Sequence, residues 1–285
     1  MDRKELNCRV FFDTEDWIKQ TEKLRRAVRK SQEGSVLYPA DAALEVPERK
    51  PERPTRISVT SERSFACALR VGREQPDAGI GVLNFASAKH PGGGVRTGSS
   101  AQEESLCRCS TLYPVLNSEK LLSGFYRFHR ANKSNLYTSA VIYSPDIIIC
   151  KTDTPAPERM EEPLWQKVDI LTCAAPNMST YRRNAMEESA MTIPSEEELF
   201  DIHKERARRI LTVAALHHID ILVSGAFGCG AFGNDPEIVS RAWKDVLSEM
   251  DGILPEVIFA IYGRKGADKN LEAFADTFAK QSESE

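Results

Sequence analysis

The sequence predicts an α/β protein of three layers, in which helices cover both faces of a mixed, mostly parallel sheet. Nearly continuous apolar runs, typical of strands buried on both faces, recur along the chain, and helical patterns alternate with them in its second half. In such folds, ligands bind at the carboxyl ends of the strands. The candidate strands are residues 57–60, 79–88, 140–150, 168–174, 219–224 and 257–262.

The first part of the chain has a different pattern. Residues 13–32 are charged, with apolar side chains at helical spacing, and predict an amphipathic helix. Four prolines between residues 39 and 54 indicate an irregular connector. We therefore expect residues 1–55 to form an N-terminal helical extension with its connector, and residues 56–280 to form one compact domain.

Two later helices begin at recognisable capping residues. Ser195 can cap a helix that reaches residue 218, because Glu198 follows it by three positions. Asn234 is the candidate N-cap of the next helix, and Pro236 suits its first turn.

Composition excludes several classes of protein. The 285 residues are 41% hydrophobic, which is ample for a large core. Lys and Arg number 38 against 42 Asp and Glu, which leaves a net charge of −4. Because no basic excess is present, we predict no direct nucleic-acid binding, and a nucleotide-like ligand would be held by local geometry.

The seven cysteines show neither a disulfide framework nor the spacing of a metal motif, so they favour a reducing compartment. The sequence shows no apolar signal segment and no run of about 18 apolar residues. We expect an intracellular protein, cytoplasmic or nuclear, that does not enter membranes and is a monomer.

Two glycine-rich loops follow predicted strands. The first contains three consecutive glycines, Gly92–Gly94, which permit close approach to the backbone, and Gln102, Glu103 and Glu104 come shortly after it. The second, residues 225–233, joins a strand to a helix, where backbone N–H groups and the helix dipole can hold a diphosphate. We expect both loops to face one cleft.

The second glycine loop fits two common nucleotide-binding motifs only in part. Its spacing Gly228-x-Gly230-x-x-Gly233 matches a dinucleotide-binding fingerprint, but only one more strand fits before the chain ends. No Lys-Ser or Lys-Thr pair follows the glycines, which excludes a P-loop.

The three glycines, followed after seven residues by Gln102-Glu103-Glu104, resemble the signature of the poly(ADP-ribose) glycohydrolases, in the branch found in bacteria and fungi. Residues 84–86, 143–146, 174–177 and 225–236 support the resemblance. It implies a macrodomain-like fold, ADP-ribose bound across the strand ends, and no metal or organic cofactor. The implied substrates are poly(ADP-ribose) and ADP-ribosylated proteins, in the reversal of ADP-ribosylation and the DNA damage response.

The resemblance also implies roles for individual residues. Glu104 would be the catalytic acid, and Glu103 would bind the ribose hydroxyls beside the scissile bond. Phe232 would press against the ribose. The implied substrate-binding residues are Asn84, Gly92, Gly93, Gly94, Val95, Gln102, Gly225, Phe227, Gly228, Cys229, Gly230, Ala231 and Phe232.

The chemistry adds its own expectations. Glycosidases commonly use two carboxylates on opposite sides of the bond, which adjacent residues cannot readily provide. We therefore expect Glu103 and Glu104 to project in different directions, one acting and one positioning. As a general acid Glu104 must carry a proton near neutral pH, which the negative charges of Glu103 and of the diphosphate would favour.

The sequence leaves three further functions open. The chain could be a macrodomain that binds ADP-ribose without hydrolysing it, a hydrolase of single protein-linked ADP-ribose units, or a dinucleotide-dependent oxidoreductase. His90, His217 and His218 show no metal spacing and are expected to be structural. Cys229 is expected to be a small buried residue rather than a nucleophile, since no partner base is evident.

Overall fold

The computed structural model describes residues 2–47, 53–179, 191–263 and 268–279. Its centre is a seven-stranded sheet with the order β1-β4-β5-β3-β6-β7-β2. The strands are β1 Val36–Tyr38, β2 Arg56–Thr60, β3 Ile80–Phe85, β4 Val141–Ile149, β5 Gln166–Cys173, β6 Ile221–Ser224 and β7 Glu256–Ala260.

Five neighbouring strands run parallel, from β5 through β3, β6 and β7 to β2. At the other edge, β4 runs antiparallel to β5 and β1 runs antiparallel to β4. The mixed, mostly parallel sheet that the sequence predicted is therefore confirmed.

Helices cover both faces of this sheet. They are α1 Arg3–Gln20, α2 Glu22–Gly34, α3 Ser64–Glu74, α4 Gln102–Cys109, α5 Leu112–Leu116, α6 Glu119–Leu121, α7 Phe128–Ala131, α8 Glu196–Leu216, α9 Pro236–Glu249 and α10 Lys269–Ala279. Helices α1 to α5 pack on one face, and α8 to α10 pack on the other. Successive strand residues such as Val82 and Leu83 point into opposite cores, which makes three layers.

The N-terminal region departs from its prediction. One helix was expected at residues 13–32, but two are present, separated at Thr21, whose extended backbone ends α1. The connector was expected to be irregular, yet residues 36–38 form β1 and extend the sheet. The first helix packs along the loop that follows β3, and α2 packs on β4. The domain boundary at residue 55 stays a prediction.

The capping predictions have mixed outcomes. Ser195 and Glu198 form the expected capping box on α8. The expected cap of α9 was wrong: Asp235, not Asn234, accepts the N–H of Glu237 over 2.8 Å. Among the residues that the structure describes, no helix is long and apolar enough to cross a membrane.

Candidate active site

The site lies where the parallel strands end, and Gln102 fixes its first helix there. Its side-chain oxygen accepts the N–H of Phe85 at 3.0 Å, and its amide nitrogen donates to the carbonyl of Leu83 at 2.7 Å and to the Ser64 hydroxyl at 3.1 Å. These bonds tie the first turn of α4 to the end of β3. Glu103 and Glu104, the next two residues, are thereby placed at the edge of the sheet.

Glu103 is almost fully buried and is held by the backbone of the first glycine loop. One carboxyl oxygen accepts the N–H of Ser87 at 2.7 Å. The other accepts the N–H of Gly92 at 3.2 Å and the side-chain amide of Asn84 at 3.3 Å. Since both oxygens already have donors from the protein, this carboxyl is fixed in position.

Burial raises the pKa of Glu103 to about 8. The N–H of Ser87 opposes this change, the negative charge of Glu104 adds to it, and Asn84 and Gly92 oppose it further. At neutral pH the group is therefore mostly protonated. Two adjacent carboxyls can share this small space because one of them is neutral.

Glu104 has one oxygen held and one oxygen free. Its Oε1 accepts the N–H of Gly94 at 2.9 Å, whereas its Oε2 is buried and has no hydrogen-bond partner among the described residues. Buried oxygens without a partner are uncommon in proteins and call for an explanation such as a missing ligand. This oxygen is available to a substrate.

Both carboxyls turn toward the same loop, so the expected divergence of Glu103 and Glu104 was wrong. Gly93 has a positive φ of 57°. A Cβ atom at Gly93 would lie 2.5 Å from Glu104 Oε1 and 3.1 Å from Glu103 Oε2. Glycine is therefore required here for the space beside the carboxyls as well as for the backbone conformation.

The second glycine loop is held by Asn234, whose role the sequence did not reveal. Its side-chain amide donates to the carbonyls of Pro176 at 2.8 Å and Gly228 at 2.9 Å, and its oxygen lies 3.0 Å from His203 Nε2. Burial lowers the pKa of His203 to about 4, so the ring is neutral near pH 7. Its Nε2 carries the proton that Asn234 accepts.

One cavity of about 520 Å³ joins the two loops, which confirms that they face one cleft. Its walls include both glutamates, and Phe85 and Ser87 form its base near β3. The predicted site residues that line this cavity are Gly93, Gln102, Glu103, Glu104, Phe227, Gly228, Gly230, Ala231 and Phe232.

Several predicted residues lie behind the cavity walls. Asn84 is fully buried and also donates to Thr172, and Val95 belongs to the core. A Cβ at Gly225 would lie 2.7 Å from the carbonyl of Ala260, so this glycine allows β6 and β7 to end close together. Gly92 and Gly94 contribute N–H groups to the two glutamates.

Cys229 is buried, as predicted, and burial raises the pKa of its thiol to about 12. It therefore stays a thiol near neutral pH, which disfavours nucleophilic attack. His217 is also structural, because its ring stacks on Tyr143 and its Nε2 lies 2.8 Å from the Tyr38 hydroxyl. His218 occupies a turn with a positive φ of 56° before β6.

Sequence analysis missed the far end of the cavity. Arg63 follows β2, Tyr262 follows β7, and the guanidinium of Arg63 lies 4.3 Å from the centre of the Tyr262 ring. The Tyr262 side chain is 61% exposed. Both residues reach the cavity only because β2 is the edge strand beside β7, and this order cannot be read from local patterns.

No cluster of three or more His, Cys, Asp or Glu side chains suited to a metal occurs in the described ranges. Catalysis at this site can use a glutamate with one unsatisfied oxygen, a fixed neutral glutamic acid, and a loop that offers backbone N–H groups.

Several known proteins are similar to this chain. Residues 11–152 match the family model "Microbial-type PARG, catalytic domain". The poly(ADP-ribose) glycohydrolase of Thermomonospora curvata is 30% identical, with 95% of this chain and 99% of that chain covered and a TM-score of 0.81. Its structure with the inhibitor ADP-HPD has the same identity and coverage and a TM-score of 0.77.

The poly(ADP-ribose) glycohydrolase of Deinococcus radiodurans, solved in complex with ADP-ribose, is 34% identical. The alignment covers 89% of this chain and 98% of that chain, with a TM-score of 0.75. No curated protein sequence matches the chain.

Proposed function

The chain belongs to the microbial-type poly(ADP-ribose) glycohydrolases, and we propose that Glu104 is the general acid with which it cuts ribose–ribose bonds. The enzyme is a glycoside hydrolase that acts on poly(ADP-ribose). The observation that carries the assignment is Glu104 Oε2, a buried oxygen without a partner among the described residues, on a side chain that lines the cavity.

The reaction requires one proton and one water molecule. Glu104 donates its proton to the glycosidic oxygen of the leaving ribose as the bond from that oxygen to the anomeric carbon breaks. The carboxylate left behind accepts a proton from water, whose oxygen attacks the anomeric carbon. The acid is thereby restored, and ADP-ribose is released with a new hydroxyl.

Glu103 acts as the positioning residue. Because its oxygens are held by Ser87, Gly92 and Asn84, it fixes the curve of the first glycine loop. Its neutral form keeps a second negative charge away from the substrate diphosphate. The ribose is bound between this loop and Phe232, which lines the same cavity.

The second glycine loop binds the diphosphate through its backbone. Residues 225–233 contain no Lys or Arg, so N–H groups from Gly228 to Phe232 provide the donors. Helix α9 begins three residues after the loop and adds the positive end of its dipole. Asn234 holds the loop in the shape that presents these groups.

The adenine packs on Tyr262 at the far end of the cavity. An exposed aromatic ring beside a nucleotide site offers a stacking surface, and Arg63 holds the ring from one side. The distance from the two glutamates to Tyr262 is spanned by one cavity, consistent with a single ADP-ribose unit.

We extend the proposal to the setting in which the enzyme acts. The substrate is the polymer on ADP-ribosylated proteins, which a monomer can bind, and its removal reverses the modification, including after DNA damage. All seven cysteines are free thiols, which favours the reducing interior of a cell.

The test compares the wild type with Glu104→Gln on purified poly(ADP-ribose), with free ADP-ribose followed by chromatography. We expect Glu104→Gln to lower the rate by about 10²- to 10⁴-fold, the usual contribution of a general acid. ADP-ribose binding, measured by calorimetry, should persist because the cavity is intact.

Glu196→Gln is the matched control, since Glu196 is an exposed glutamate in the first turn of α8, away from the cavity. It should release ADP-ribose at the wild-type rate. Binding of ADP-ribose without release by the wild type would instead make the chain a macrodomain that only binds its ligand.

A further inference from the structure

A second cavity, of about 330 Å³, lies on the other side of the first glycine loop. Gly93 lines both cavities, and Gly94, whose N–H binds Glu104, lines the second. The wall between them is therefore a single stretch of backbone. Whatever leaves the first cavity beside Glu104 can reach the second directly.

Arg96 provides a fixed positive charge in this second cavity. Its Nη1 lies 3.2 and 3.1 Å from the two carboxyl oxygens of Glu15. Its guanidinium also lies 5.2 Å from the centre of the Phe12 ring and 6.0 Å from that of Tyr113. The side chain is still 53% exposed, so it can contact an anion without first being ordered.

Arg130 provides a second positive charge. It is exposed, and its Nη1 donates to the carbonyl of Lys89 at 2.7 Å. It forms no ion pair with a carboxylate in the part of the chain that the structure describes. No Asp or Glu among the described residues lines this cavity, although the whole chain carries a net charge of −4. The local charge is therefore opposite to that of the protein.

The substrate has matching chemistry on the far side of the scissile bond. When the terminal ADP-ribose fills the first cavity, the leaving ribose belongs to an adenosine that carries its own diphosphate. This unit is anionic, and it emerges next to Gly93.

We propose that the second cavity binds the leaving-side unit of poly(ADP-ribose), with its diphosphate on Arg96 and Arg130 and its adenosine against Tyr113 and Leu122. This inference rests on the proposed function. It makes the enzyme recognise polymer on both sides of the bond, so that the affinity for polymer depends on residues that do not touch the terminal ADP-ribose.

The test uses Arg130→Ala and two substrates. One is poly(ADP-ribose), and the other is ADP-ribose whose anomeric carbon carries a small neutral aromatic leaving group. Arg127→Ala is the matched control, because Arg127 is a nearby exposed arginine that pairs with Glu119 and does not line the cavity.

We expect Arg130→Ala to raise KM for the polymer roughly tenfold, the order of one lost charge-assisted contact, and to make KM less dependent on salt. KM for the small substrate and the Kd of ADP-ribose should stay at their wild-type values. Arg127→Ala should leave all three constants unchanged.

Wild-type KM for the polymer in Arg130→Ala would overturn the inference alone. An equal rise for both substrates would also overturn it, because Arg130 would then act through the glycine loop. Failure of the wild type to cleave either substrate would overturn the proposed function and this inference together.

Discussion

The side-chain amide of Asn234 donates to the carbonyl of Gly228 across 2.9 Å and so closes the second glycine loop on itself. The same amide reaches Pro176, beyond the end of β5. A residue that looks like a helix cap in the sequence thus joins two strand ends beneath the site.

Replacing Asn234 with Asp should weaken both stability and binding. The change keeps the size of the side chain but removes its two donors, which leaves the carbonyls of Pro176 and Gly228 without them. We expect a loss of about 2–4 kcal/mol in the free energy of unfolding, from two buried hydrogen bonds. Denaturant unfolding measures this loss, and calorimetry should show weaker ADP-ribose binding.

Asn132→Asp is the control for that change, because Asn132 accepts a local turn hydrogen bond through its oxygen, which Asp retains. Equal stability of the two variants would contradict the role given to Asn234.

The stability of the protein should depend on the protonation of Glu103. Its pKa is about 8 in the folded protein against 4.5 for the free group. Between these values the unfolded chain releases a proton that the folded chain keeps, so stability falls as pH rises from about 4.5 to about 8. The slope approaches about 1.4 kcal/mol per pH unit.

Glu103→Gln removes this titration. Denaturant unfolding of both proteins at pH 5, 6, 7 and 8 should show the wild type losing stability relative to the variant. Parallel pH profiles would mean that Glu103 is already ionised in the folded state.

Gly93→Ala should remove activity without unfolding the protein. The new methyl group would lie 2.5 Å from Glu104 Oε1, so the carboxyl must move, and alanine at a positive φ adds about 1–2 kcal/mol of strain. We expect kcat for polymer cleavage to fall by at least about tenfold, since small displacements of catalytic groups are costly.

Gly252→Ala introduces comparable strain, at a φ of 75°, in a turn before β7 that lies outside both cavities. It should lose stability and keep kcat. A similar loss of kcat in both variants would show that strain, rather than contact with Glu104, is responsible.

Tyr262→Ala should weaken ADP-ribose binding, because it removes the stacking surface proposed for the adenine. Base–aromatic stacking contributes about 1–3 kcal/mol, so the Kd should rise about 5- to 100-fold. Tyr262→Phe keeps the ring and should bind nearly as the wild type does. Calorimetry with ADP-ribose and with ribose 5-phosphate separates the two ends of the ligand, and only ADP-ribose should respond.

Much of the fold was predictable because its signals are local. The buried strands show as apolar runs, and Ser195 with Glu198 marks the start of α8. By contrast, β1 is a three-residue strand at the sheet edge with no buried residue, and nothing in its sequence distinguishes it from the connector. Helix α10 was also missed.

The sequence by itself determined which residues surround the reaction. Three glycines and the glutamates after them lie within 13 residues, so chain connectivity alone brings Gly93 and Glu104 together. The tertiary structure decided the rest. Arg56 pairs with Glu256 across the sheet although 200 residues separate them, and this register brings Arg63 and Tyr262 to the same cavity. Only the packing of the whole chain buries Glu103 enough to raise its pKa, because desolvation depends on neighbours from distant segments.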